Sequence, residues 1–176
     1  TLRAAIIIGS GSASFEIMRD LVEKLPVMIT PRWLLTKSQP IGIEDVIQFL
    51  IKSLFMPETY DRNFDIGGPD ILSYKEMLLG FARIRGMRRW IFTVPVMTPR
   101  LSSYWLYFIT ATSYSLAVAL VDSMKVEVVC RNDELNQILD IQPQTYEYAF
   151  KRCFIAIEGA QIISSWKDAF VSGNLQ

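Results

Sequence analysis

The sequence predicts an α/β chain, and three observations predict it. Strand-length apolar runs alternate with helix-length apolar repeats. The first run, Leu2–Ile8, is apolar apart from Arg3, as in a parallel strand covered on both faces. Glycine and proline turns punctuate the passage from one segment to the next. The length, 176 residues with 51% hydrophobic side chains, is that of about one domain. Such a chain buries roughly 70% of its unfolded surface, so it needs no metal or disulfide to hold a core.

Each element has a local reason. After the turn Gly9-Ser10-Gly11-Ser12, the residues Ile17, Met18, Leu21, Val22 and Leu25 repeat at helical spacing, with Ser14 as N-cap and Pro26 as stop. Val27–Ile29 is a short strand and Pro31 to Pro40 a loop. From Ile43, the residues Val46, Ile47, Leu50, Ile51 and Leu54 form an apolar stripe opposite Glu44, Asp45, Gln48 and Lys52. Pro57 ends that helix. Asn63–Ile66 is a strand closed by Gly67-Gly68-Pro69, and Ser73-Tyr74-Lys75-Glu76 is a capping box. It opens a helix whose buried face is Tyr74, Met77, Leu78 and Phe81, ended by Gly86. Trp90–Val94 and Val126–Val129 read as strands, Asn132 as the cap of a short helix, and Thr145 to about Ile163 as a long final helix.

Composition excludes more than it assigns. Eighteen basic and eighteen acidic residues cancel, which argues against a nucleic-acid binder. There is no histidine, hence no imidazole base, ligand or switch. Cys130 and Cys153 match no zinc or iron–sulfur spacing and point to a reducing, cytoplasmic setting. Leu101 to Val121 carries no charge, but its serines and threonines and the lack of a basic flank favour packed helices over a membrane span or a membrane-surface contact.

Candidate chemistry is sparse. The loop Gly9-Ser10-Gly11-Ser12-Ala13-Ser14 after a strand imitates a dinucleotide fingerprint, in which backbone amides meet a pyrophosphate at a helix N-terminus. Ser14 stands where the third glycine belongs, and no acidic residue follows the next strand; the alternative is a plain glycine turn. Arg83, Arg85, Arg88 and Arg89 could receive a phosphate or, more simply, complement a helix C-terminus. Glu44 and Asp45 diverge by about 100° on a helix and read as a solvated face rather than an acid/base pair. No Tyr-x-x-x-Lys, Gly-x-Ser-x-Gly or metal-ligand cluster is present, so no catalytic or metal-binding residue is assigned.

Several segments carry a resemblance. Leu2 to Gly11 resembles the sixth strand of extended and atypical short-chain dehydrogenases/reductases, with its Leu-Arg start and apolar run to a glycine. Gln39 to Val46 is similar to the family's segment entering the next helix. Phe64-Asp65-Ile66-Gly67-Gly68-Pro69 with Ser73 to Met77 is similar to its last strand and helix cap. Val94 to Trp105 and Ser165 to Ala169 have near matches in a bacterial subgroup of NAD(P)-binding oxidoreductases, or nucleoside-diphosphate-sugar epimerases.

The resemblance implies a fragment: the C-terminal, substrate-side part of a Rossmann-type doubly wound protein. Strands and helices of that sheet would occupy residues 1–70, and a mostly helical substrate-side region residues 71–176. It implies NAD or NADP as cofactor of the longer protein, with none bound to this chain alone. Hydride would there move between nicotinamide and a carbonyl or alcohol carbon. Backbone at Ala4, Ala5 and Ile6 would pass the nicotinamide, and Trp33, Gln39 and Pro40 would line the substrate pocket. The expected partners are the missing N-terminal part and, through the bared strand edge, a second copy. A different reading keeps the fold without turnover: a nucleotide-sensing or scaffold protein docking through Tyr104–Val121.

Overall fold

A computed structural model describes residues 1–94 and 122–158. The uncharged stretch, its docking segment Tyr104–Val121, most of the Val94–Trp105 motif, the Ser165–Ala169 motif and the final helix beyond residue 158 lie outside the described residues.

The first apolar run forms two strands, β1 (Leu2–Ala4) and β2 (Ile7–Ile8), with a bend at Ala5. The expected uninterrupted, doubly covered strand is thus corrected: only Ile8 of the run is buried, the rest half-buried or exposed. The run breaks because its halves serve different partners. β1 pairs in parallel with β6 (Phe64–Ile66), and β2 with β5 (Ile41–Gly42). Arg3, unexpected in a strand, lies in register with Asp65 and its guanidinium stands 2.8 Å from that carboxylate.

Helix α1 (Ala13–Lys24) is capped by Ser12, whose hydroxyl accepts the Phe15 amide at 3.2 Å, so the cap lies two residues before the expected Ser14. Gly11, at φ +83°, makes the turn that places Ser12 there. Then β3 (Val27–Pro31) pairs in parallel with β8 (Trp90–Val94). The expected loop from Pro31 to Pro40 holds a 3-10 turn, Arg32–Leu35, and a short strand, β4 (Lys37–Ser38), antiparallel to β7 (Leu72–Ser73). The expected strand at Val126–Val129 is a single bridge between Val128 and Ser38, made by the Gln39 amide on the Val128 carbonyl and the Val128 amide on the Lys37 carbonyl. The class is α/β with parallel strand pairs; the hydrogen-bonded strands of the described residues form four two-stranded ribbons.

Helix α2 (Ile43–Ser53) turns inward a face that shares Val46 with the expected stripe but is rotated away from the rest of it. Asp45, Val46 and Phe49 are buried, whereas Ile47, Leu50, Ile51 and Leu54 are about half exposed or more. The solvated-face reading of Asp45 is corrected with it: the residue is 2% exposed and accepts the Gln144 amide at 3.0 Å. Glu44 does face outward, and Arg152 pairs with it at 2.8 Å.

Helix α3 (Tyr74–Ile84) starts at the expected capping box: Ser73 accepts the Glu76 amide and the Glu76 carboxylate accepts the Ser73 amide. Asn132, the expected cap, accepts the Glu134 amide from one position before the observed cap, Asp133, at the start of α4 (Glu134–Leu139). The last helix described is α5 (Tyr146–Glu158).

Two apolar clusters organise these elements, and each draws on residues from both sides of position 70. In one, α1, α3 and α5 meet through Phe15, Phe81, Phe150 and Phe154, whose ring centroids lie 5.2–6.1 Å apart. The Tyr146 hydroxyl donates to the Met77 carbonyl at 2.6 Å beneath them. Burial raises that phenol's pKa, so it remains a neutral donor. In the other cluster, Ile41, Phe49, Phe64, Ile66, Leu135 and Leu139 join α2 and α4 to the β1–β6 and β2–β5 pairs. Lys52 ties α2 to the end of α4 by donating to the carbonyls of Leu139 and Asp140.

Candidate functional site

Where the bend of the first run faces α1 and α3, the structure encloses a cavity of about 210 Å3. One wall is Ala4, Ala5 and Ile6; another is the α1 face of Ile17, Met18 and Leu21. The remaining sides are Ser14 in the first turn of α1, Trp33 and Leu34 of the 3-10 turn, Ser38 of β4, Tyr74 and Leu78 of α3, and Ser123, Met124 and Val128. Local structure positions each polar group. The turn closed by the Thr36 amide on the Trp33 carbonyl holds the indole, the β4–β7 pairing holds Ser38, and the capping box places Tyr74 at the first position of α3.

The site is apolar with a few polar points. Ser38 is 1% exposed, and its hydroxyl lies against the Tyr74 phenol. The Trp33 indole N–H is buried without a partner among the described residues. Burial pushes the Tyr74 phenol up, an effect that the Ser38 hydroxyl beside it partly offsets, so Tyr74 stays protonated. A buried donor without an acceptor costs about 1–3 kcal/mol.

The residues expected to face a cofactor, Ala4, Ala5 and Ile6, lie on this cavity together with Trp33. Gln39 and Pro40 do not line it. They form a joint: the Gln39 amide donates to the Gly68 carbonyl at 2.7 Å and accepts the Cys130 amide at 2.9 Å, while the Pro40 carbonyl accepts the Gly68 amide. A Cβ on Gly68 would collide with that carbonyl, and one on Gly67 would stand 2.8 Å from Cys130 and Gln39. Sequence reasoning missed Ser38, and it read Tyr74 and Leu78 only as core. They come from separate elements, and no local pattern marks their convergence.

The other candidates resolve simply. Gly9 ends its strand where a Cβ would lie 3.1 Å from Ile43, which accounts for the glycine by close packing. Arg89 donates to the carbonyls of Val22 and Glu23 in the last turn of α1, and Arg85 lies over the Phe154 ring at 4.6 Å. These two guanidinium groups therefore complete a helix end and a ring contact rather than converging on an anion site. A smaller cavity of about 70 Å3 lies among Asp45, Arg152, Tyr148 and Cys153. Burial raises the Cys153 thiol to about 11, and burial together with Asp65 raises that of Cys130. Among the described residues no cluster could hold a metal ion, and no helix is long and apolar enough to cross a membrane.

No protein-family model and no curated protein matches the chain. Solved structures do. A Staphylococcus aureus nucleoside-diphosphate-sugar epimerase matches with TM-score 0.61 at 16% identity, over 83% of this chain and 49% of its own. A Citrobacter sp. triphenylmethane reductase matches with TM-score 0.63 at 12% identity, over 86% of this chain and 51% of its own. A Bacillus cereus UDP-glucuronic acid 4-epimerase, solved with UDP-glucuronic acid and NAD, matches with TM-score 0.52 at 13% identity, over 85% and 44%. The chain thus has an α/β fold of the Rossmann-like epimerase and reductase kind. It spans about half the length of those structures.

The reductase has also been solved with NADP(H). In this chain Ala4, Ala5 and Ile6 form one apolar wall of the cavity. The glycine turn before α1 is closed by the Ser12 amide on the Gly9 carbonyl, and the Ser12 hydroxyl takes the Phe15 amide.

Proposed function

We propose that the chain is the substrate-side portion of an NAD(P)-dependent oxidoreductase or nucleoside-diphosphate-sugar epimerase-like protein, and that it does not turn over alone. The observation that carries this is the cavity itself. It brings the run Ala4–Ile6 and Trp33 onto one cavity, in a fold that the matching epimerase and reductase structures carry at about twice the length. On this reading Ala4, Ala5 and Ile6 pass the nicotinamide, Trp33 faces the substrate, and Gln39 and Pro40 hold the loop between them. The pyrophosphate site and the proton-transfer groups belong to a preceding segment of the same polypeptide.

NADPH fluorescence titration tests it. The chain alone should give no saturable signal. The same chain extended upstream in its reading frame should bind NADPH and oxidise it when a carbonyl compound is supplied. Micromolar NADPH affinity of the chain alone overturns the proposal and makes Gly9 and Gly11 a phosphate loop.

A further inference from the structure

The outer face of α2 is composed like the inner face of a helix. At about 100° per residue, Ile43, Ile47, Leu50, Ile51 and Leu54 fall within about 100° of arc. That is the width of apolar stripe a helix ordinarily turns toward a core. In α2 the core side is already taken by Asp45, Val46 and Phe49. Each residue of the stripe is 40% exposed or more, and Phe55 continues it past the end of the helix. No charge interrupts it. At its margin Glu44 is engaged by Arg152, and Lys52 by the carbonyls of Leu139 and Asp140.

Single exposed apolar side chains are ordinary on a protein surface, but a contiguous patch marks a contact. Counting about 200 Å2 for a fully exposed large apolar residue, these six leave roughly 650 Å2 open on one copy. Two such faces laid together cover roughly 1,300 Å2, within the range of standard stable interfaces. The face is also its own complement. α2 begins with Glu44 and Asp45 and ends with Lys52. A two-fold axis through the middle of the stripe makes the second helix antiparallel and sets Ile47 beside the Leu50 of the second copy. It also brings the acidic start of each helix toward the basic end of the other, where a parallel pair would bring like ends together.

We propose that the outer face of α2 is the interface of a homodimer, an antiparallel α2–α2 pair made with a second copy of this chain. The inference does not rest on the functional reading. The stripe lies on the side of α2 turned away from the β1–β6 and β2–β5 pairs, along which that reading seats the preceding segment.

Sedimentation velocity on the purified chain, from low to tens of micromolar, tests it. The parent should show a reversible monomer–dimer equilibrium. Leu50→Glu with Leu54→Glu sets like charges against each other across the two-fold. It should weaken the dimer about tenfold or more and keep the parent's urea midpoint. Ile29→Glu with Phe92→Glu, on the exposed face of the β3–β8 ribbon, should leave the dimer unchanged. A parent that stays monomeric, a dimer that survives the α2 charges, or one that the ribbon charges dissolve equally overturns the proposal. If the α2 double variant unfolds below the parent's midpoint, Ile47→Glu decides in its place. The same chain extended upstream should dimerise through the same face. A monomer there, or an association indifferent to the α2 charges, gives the face to another occupant and overturns the proposal.

Discussion

Asp45 is a carboxylate buried on a helix whose neighbouring residues mark no polar site for it. Burial raises its pKa, Glu44 adds to the rise, and the hydrogen bond from the Gln144 amide opposes it. The folded state therefore holds the Asp45 proton more tightly than the unfolded chain does. Its contribution to stability is most favourable at low pH and declines as pH rises through the carboxylate range. Asp45→Asn, which keeps an acceptor for Gln144, should remove that decline in urea titrations run across the same range. Asp45→Ala should instead lose about 1–3 kcal/mol by orphaning the amide. Glu76 has the opposite sign. Hydrogen bonds from the Ser73 backbone and side chain hold it below its ordinary value. Its contribution is present above the ordinary glutamate range and is lost as pH falls through the depressed value. Ser73→Ala should cost about 1 kcal/mol near neutral pH, and Glu76→Gln should flatten the acid limb of the stability curve.

At the scale of elements, the capping box at Ser73 and the strand Trp90–Val94 were legible because their signals are local. The orientation of α2 was not. Its sequence offers two apolar faces, Val46 with Phe49 and Ile47 with Leu50, Ile51 and Leu54. The choice between them is made by Gln144 and by the cluster around Phe64 and Leu135, far along the chain. The cap at Ser12 rather than Ser14 is a similar case: both serines precede the same apolar repeat, and Gly11 decides between them. The face left outward makes a clear prediction. Phe49→Ala should lose about 3–5 kcal/mol in denaturant unfolding. Leu50→Glu with Leu54→Lys should change stability by less than about 1 kcal/mol and raise solubility. The cavity was half legible. The resemblance supplied Ala4–Ile6 and Trp33, while Ser38 reaches the wall through the pairing of β4 with β7 and the bridge to Val128, which no local pattern announces.

At the scale of the whole molecule, apolar surface is left uncovered by the described residues in two places. One is the outer face of α2, where Leu54 is 68% and Phe55 79% exposed. The other is the β3–β8 ribbon, where the register partners Val27 with Trp90 and Ile29 with Phe92 all face outward. Together with β1 and β2, which have one strand partner each among the described residues, these surfaces lead us to propose that the chain associates with itself. Sedimentation velocity at tens of micromolar should show concentration-dependent species, and a monodisperse monomer would count against it. The mean hydropathy of +0.24 is consistent with that expectation. Cys153 has a practical consequence at the same scale. Its thiol sits on α5 beside the aromatic cluster, buried, and raised to about 11. In the packed state it is un-ionised near neutral pH and only 5% exposed, so alkylation should be slow until α5 loosens. The rate at which iodoacetamide labels this one sulfur is therefore a clock for the opening of the three-helix core, with Cys130, only half-buried, as the reference hand.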